Sequence, residues 1–206
     1  MRHREPRGYV HEVVATVVLR DGTVVVDPLE QALAFVEAYG ASGDDPEPGS
    51  FGEPDLRRAN RGGARISAAE IGAILERQGE IELALGAIAP GAALTAASVP
   101  WAGLERLFDS FGGLKGVGLS KMTKALHPKR PALIPMLDSV VQEYLGPAAG
   151  DGFGERATEL VRAYKGDLDG NRTQLREVRC ELANRGYRLT EVRILDVLIW
   201  SASAAG

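Results

Sequence analysis

The chain has 206 residues, 45% of them hydrophobic and 25% charged, with a net charge of −4. That length suits one domain, or two small lobes sharing a core, and the composition excludes global disorder. No apolar run reaches the ~20 residues that cross a bilayer, and the charged start MRHREPRGYV has no apolar stretch behind it. A membrane span and a secretory leader are therefore not expected, and a cytoplasmic protein is. Cys180 is the only cysteine, beside three histidines. An internal disulfide, a cysteine zinc site and a Cys-ligated iron–sulfur cluster are excluded, and neither a metal nor another cofactor is expected. A pI near 5.5 excludes a uniformly basic protein but not a local basic patch.

Residues 12–26, EVVATVVLRDGTVVV, place two β-branched runs around Asp21-Gly22. That pair predicts a β-hairpin with a two-residue turn. Asp27, Pro28 and Glu30 then have the order of an N-cap, a first helical residue and a capping-box acid. A helix is predicted over 28–39, with Gly40 as its stop. Residues 41–64 are rich in Gly, Pro, Asp and Ser and predict a long loop. Its second half turns basic, with Arg57, Arg58, Arg61 and Arg65 inside nine residues.

From there the pattern is helical. Ser67 and Glu70 form a second capping box, opening a helix to about Gln78. Helices are further predicted at 81–88, 101–111, 118–126, 139–145, 153–165, 172–185 and 191–202, with Thr190 as an N-cap. The expected fold is mainly α with a small N-terminal β-hairpin. Residues 1–66 supply the hairpin, a helix and the long loop, and residues 67–206 a helical domain.

Residues 111–126, FGGLKGVGLSKMTKAL, carry the chemical signal. Glycines at both ends of Gly116-Val117-Gly118 let the backbone take positive φ and approach a ligand closely. The N–H groups of the turn and of the next helix attract an anion such as phosphate. Lys115, Lys121, Lys124, Lys129 and Arg130 make five basic residues, and no acid, between Asp109 and Asp138. The bland alternative is an ordinary helix–helix corner with solvated lysines.

This segment resembles a helix-hairpin-helix motif through Phe111, Leu114, Gly116, Val117 and Gly118. Lys115 stands where the motif usually has Pro, and Met122 where it often has Ala. The helix-hairpin-helix would lie at about 101–126. Next comes HPKRPALIPMLDSVVQEYL, an apolar stretch bracketed by prolines, with Asp138 20 residues after Gly118. Hairpin, extended stretch and Asp together resemble the helix-hairpin-helix DNA glycosylase superfamily (endonuclease III/MutY-like). KALHPKRPALIPMLDSVV, with RILDVLIW near the C-terminus, also resembles an uncharacterised actinobacterial family.

The superfamily resemblance implies duplex DNA as partner, bound through backbone phosphate by Lys115, Gly116, Val117, Gly118, Lys121, Lys124, Lys129 and Arg130 without reading sequence. It makes Asp138 the catalytic aspartate of base excision. Ser120 falls where glycosylase–lyases have their Schiff-base lysine, as in monofunctional members. A carboxylate there stabilises the positive charge that develops on the sugar, or activates water, and the target base must leave the stack. The Asp138-Ser139-Val140 sequence departs from the superfamily, which commonly follows its Asp with Thr or Ser and His or Arg. Three readings stand: a glycosylase-like hydrolase, a non-enzymatic DNA-binding module with Asp138 as a plain N-cap, and a helical small-molecule enzyme or partner-binding protein. Trp101, Trp200 and Cys180 read as core residues, and Asp196 as a polar residue that caps, or pairs with an arginine from another helix.

Overall fold

Residues 16–39 and 47–204 are described by the structure, a computed structural model. Strands β1 (Val17–Val18) and β2 (Val24–Val25) pair antiparallel, Val17 opposite Val25 and Val18 opposite Val24. Residues 12–15 of the expected hairpin lie outside the described residues. The connection is one residue longer than predicted. Gly22 N–H donates to the Leu19 carbonyl and Leu19 N–H to the Thr23 carbonyl, each at 2.9 Å, with Gly22 at φ +85°. A three-residue loop with a left-handed glycine results, held by the Asp21 carboxylate, which accepts from Thr23 N–H at 2.9 Å. Val17, Leu19 and Val25 are buried, while Val18, Val24 and Val26 face out.

Helix α1 spans Pro28–Tyr39, as its proline start predicts; Gly40, its expected stop, lies outside the described residues. Leu29, Ala32, Leu33 and Val36 are its buried stripe at helical spacing. The expected long loop is corrected by helix α2 (Glu53–Arg61), whose Pro54 sits in the first turn and whose Asp55 returns to Gly52 N–H at 3.0 Å. Helix α3 (Ala68–Leu75) starts from the predicted capping box. Ser67 Oγ accepts from Glu70 N–H, and Glu70 Oε2 from Ser67 N–H. It ends sooner than expected. Helix α4 starts at Gln78 (Gln78–Gly86), and Arg77 between the two is drawn away to the Ser110 and Gly112 carbonyls.

Helices α5 (Trp101–Asp109) and α6 (Leu119–Leu126) flank the glycine turn, and a 3-10 turn covers His127–Lys129. Then follow α7 (Ser139–Leu145), α8 (Phe153–Gly170), α9 (Arg172–Asn184) and α10 (Glu191–Ala204). The segment before Asp138 is irregular, with Leu133, Ile134 and Leu137 fully buried. Helix α10 runs through the middle, packed by α1, α7, α8 and α9. Thr190 caps it through Arg193 N–H at 3.1 Å. Asn171 joins hairpin to helices: its side-chain amide bonds both Val18 N–H and Val18 C=O at 2.9 Å.

Two core expectations are corrected. Cys180 is exposed on α9, on a helix whose buried stripe is Leu175, Val178 and Leu182. Trp200 is 50% exposed near the end of α10. Among the described residues no helix is long and apolar enough to cross a membrane, and no His, Cys, Asp and Glu group could hold a metal.

Candidate functional site

The turn between α5 and α6 is anchored by its apolar residues. Phe111 and Met122 are fully buried, Val117 nearly so, and Phe111 meets the Phe51 ring edge-on at 5.9 Å. Lys115, Gly116 and Gly118 remain exposed between these anchors. Gly116 has φ +81°, a conformation that favours glycine. Gly118 does not: at φ −93° and ψ −180° it is ordinary extended backbone. Gly118 is the N-cap of α6 and provides no side-chain cap, so the first N–H groups of α6 have no cap from it.

The five cations do not act as one patch. Lys129 is 4% exposed and bonds Asp55 Oδ1 at 2.8 Å and the Glu47 carbonyl at 3.1 Å. Arg130 is 1% exposed, its guanidinium donating to the carbonyls of Pro48, Lys129, Leu85 and Ile88 at 2.7–2.9 Å. Both were expected to face phosphate, and both are spent inside the fold. A buried cation must be paired or hydrogen-bonded; residues 47–55 provide the partners of Lys129 and one of the four carbonyls that hold Arg130. Lys121 Nζ meets both oxygens of Glu70, at 2.7 and 2.8 Å. Those bonds, Lys121's foremost, hold the Glu70 carboxyl below its ordinary range. Lys115 is exposed and Lys124 half-buried beside Gly63. Arg57 and Arg61 line a shallow hollow with Asn60 and Ile71 on the α2–α3 side.

Asp138 is the N-cap of α7, as expected. Its Oδ1 accepts from Val141 N–H at 3.1 Å, and its Oδ2 from the Trp200 indole N–H at 2.8 Å. The carboxylate is half-buried and both oxygens are engaged. Ser120 is half-buried in the first turn of α6. Thr123, on the same face one turn later, accepts from Leu137 N–H at 3.0 Å. That bond ties α6 to the residue preceding Asp138. Residues 47–61 pack over Lys129 and Arg130 rather than over Asp138.

Behind Asp138 lie groups with a weaker signal in the sequence. Asp196, on α10, is 1% exposed. Its Oδ2 accepts from Met136 N–H at 3.3 Å and lies 3.8 Å from Arg193 Nη1, while its Oδ1 has no partner. Burial pushes this carboxyl up to about 7. Arg193 also stacks on Phe35 at 4.7 Å. His127 is buried with Nδ1 2.6 Å from the Ile134 carbonyl, and burial, helped by the charge of Arg193, pushes it down to about 4. An acid inside the apolar run RILDVLIW is the one sequence signal for this corner.

A family model described as a family of unknown function (DUF6308) matches residues 29–203. No curated protein and no solved structure matches the chain.

Proposed function

The chain belongs to the DUF6308 family, and we propose that it is a DNA-associated protein whose α5, glycine turn and α6 act as a helix-hairpin-helix holding backbone phosphate. The observation that carries this reading is the open start of α6. An exposed turn with Gly116 in the left-handed region leads into a helix without a side-chain cap, an arrangement suited to an anion. Lys115 and Lys124 supply nearby charge, and Lys121 supplies it once freed from Glu70. Val117 and Gly118 shape the approach. Lys129 and Arg130 are no part of this surface. Contacts of this kind position a duplex without reading its sequence.

The test is binding to unrelated duplexes at several salt concentrations. Each phosphate contact contributes about 0.9 to the slope of log K against log salt. Lys115→Glu with Lys124→Glu should weaken binding to every duplex alike and flatten that slope. Absence of binding at low salt would end the reading.

A second reading adds chemistry: hydrolysis of an N-glycosidic bond with Asp138 stabilising charge on the sugar and Ser120 nearby. The Thr123–Leu137 bond, which joins α6 to the residue before Asp138, favours it. The Asp138 carboxylate would have to release Trp200 to face a substrate.

A further inference from the structure

We propose that Asp196 is a positioning residue whose buried carboxyl holds a proton that it gives up near neutrality, beside Asp138 at the junction of α7 and α10. The geometry is that of a neutral acid. Oδ2 is occupied by Met136 N–H, and Oδ1 is buried with no donor. An ionised oxygen in that position would be left without compensation, which is far costlier than a neutral one.

The hydroxyl that could have served it points elsewhere. Tyr164, fully buried on α8, donates to the Val192 carbonyl at 2.6 Å. It still acts on the Asp196 carboxyl, drawing it toward the ionised form against the stronger effect of burial. With its own proton committed, the Tyr164 oxygen is left as an acceptor.

The charged neighbours divide. Arg193, on α10, favours the ionised form, and its guanidinium at 3.8 Å is shared with Met136 Sδ and the Phe35 ring. Asp138, at the start of α7, opposes it, as does burial. His127, which also feels Arg193, is held neutral by burial and by that arginine.

The structural link to Asp138 is short. Met136 N–H bonds Asp196, and the Met136 carbonyl accepts from Asp138 N–H at 2.9 Å. Proton loss from Asp196 therefore adds a like charge beside Asp138 and alters the grip on the backbone that carries it. The use of this arrangement in chemistry rests on the second reading above, whereas the place of the proton does not.

The test needs no DNA, so its outcome is separate from that reading. The aspartate carboxyl carbons are followed by NMR against pH, with Asp196→Asn assigning the signal. Trp200 fluorescence is followed in parallel in a Trp101→Phe background. Asp196 should titrate near neutrality, and Trp200 emission should shift with the same midpoint. Asp196→Asn, which keeps an acceptor for Met136 and stays neutral, should abolish the Trp200 transition. An Asp196 signal titrating in the ordinary carboxylate range overturns the proposal. So does a Trp200 transition that survives in Asp196→Asn, or a Trp200 that stays silent while Asp196 titrates. If Asp196→Asn fails to fold, the titration of the unaltered chain, with the midpoint shared between one carboxyl and Trp200, still decides.

Discussion

Glu70 and Lys121 clasp the start of α3 to the first turn of α6 across 51 residues of chain, with Lys121 Nζ touching both carboxylate oxygens. The same carboxylate lies over Gly116, in the space a side chain there would take. An internal anion thus already sits beside the turn proposed to hold phosphate.

Glu70→Gln keeps the length of the capping residue and removes its charge. Duplex affinity at low salt should rise severalfold, and the salt slope should steepen by up to about 0.9 as Lys121 becomes available. Fluorescence anisotropy across a salt series reads both. Unchanged affinity would remove Lys121 from the phosphate contacts.

The two glycines of the turn should respond differently to alanine. Gly116→Ala places a Cβ at φ +81° and against Glu70, and should cost about 1–2 kcal/mol. Gly118→Ala adds a Cβ in open space on extended backbone and should stay within about 0.5 kcal/mol. Denaturant melts compare them. DNA binding lost in a folded Gly118→Ala would point to close ligand approach at that residue.

Gly154 is a close contact of α8 with α5. Its N–H donates to Asp109 Oδ1 at 2.6 Å, and a Cβ there would collide with the Glu105 carbonyl and the Asp109 carboxylate. Gly154→Ala should destabilise by about 1–3 kcal/mol through forced separation of the helices. A thermal melt of that variant within error of the wild type would show that the helices part freely.

Asp138→Asn retains one oxygen for either Val141 or Trp200, not both. It should cost about 0.5–2 kcal/mol of stability and leave duplex affinity unchanged. If the chain releases bases from damaged duplexes, the same change should lower excision about 10²-fold or more. Unchanged excision would take chemistry away from Asp138.

Stability against pH should show two opposed slopes. Asp196 is raised in the fold, so it binds its proton where the unfolded chain has lost it, and its contribution falls as pH rises from about 4 to about 7. His127 is lowered in the fold, so its contribution rises over about 4 to 6.5. Asp196→Asn removes the first, and urea melts of that variant should show stability climbing through pH 4–6.5 more steeply than in the wild type. Parallel curves would contradict the Asp196 assignment, and a variant whose stability does not climb over this range would contradict that of His127.

Much of the helical order was legible because the chain marks its own helix ends. Pro28, the Ser67–Glu70 box, Asp138 and Thr190 each start a helix where local rules place it. Helix α2 was hidden because its apolar content is Leu56 and Ala59 alone, in a stretch dominated by glycine, proline and charge. Beside Leu56 and Ala59 its buried face holds Asp55, which meets Lys129 in a pairing 74 positions apart that no periodicity announces. For the same reason Lys129 and Arg130 read as surface charge: a buried cation is recognisable only from its partners. Asp138 was legible as a cap, whereas its second partner, Trp200, lies 62 positions away.

Arg130 gathers backbone carbonyls from three separated parts of the chain: Pro48, the end of α4 at Leu85 and Ile88, and its own neighbour Lys129. Shortening the protein from its N-terminus is therefore not the removal of an appendage. A fragment beginning at Ser67 would strand Lys129 without Asp55 and Arg130 without Pro48, leaving two interior positive charges poorly compensated. Any dissection of this chain into a minimal binding unit has to keep residues 47–61, remote as they are in sequence from the turn they support.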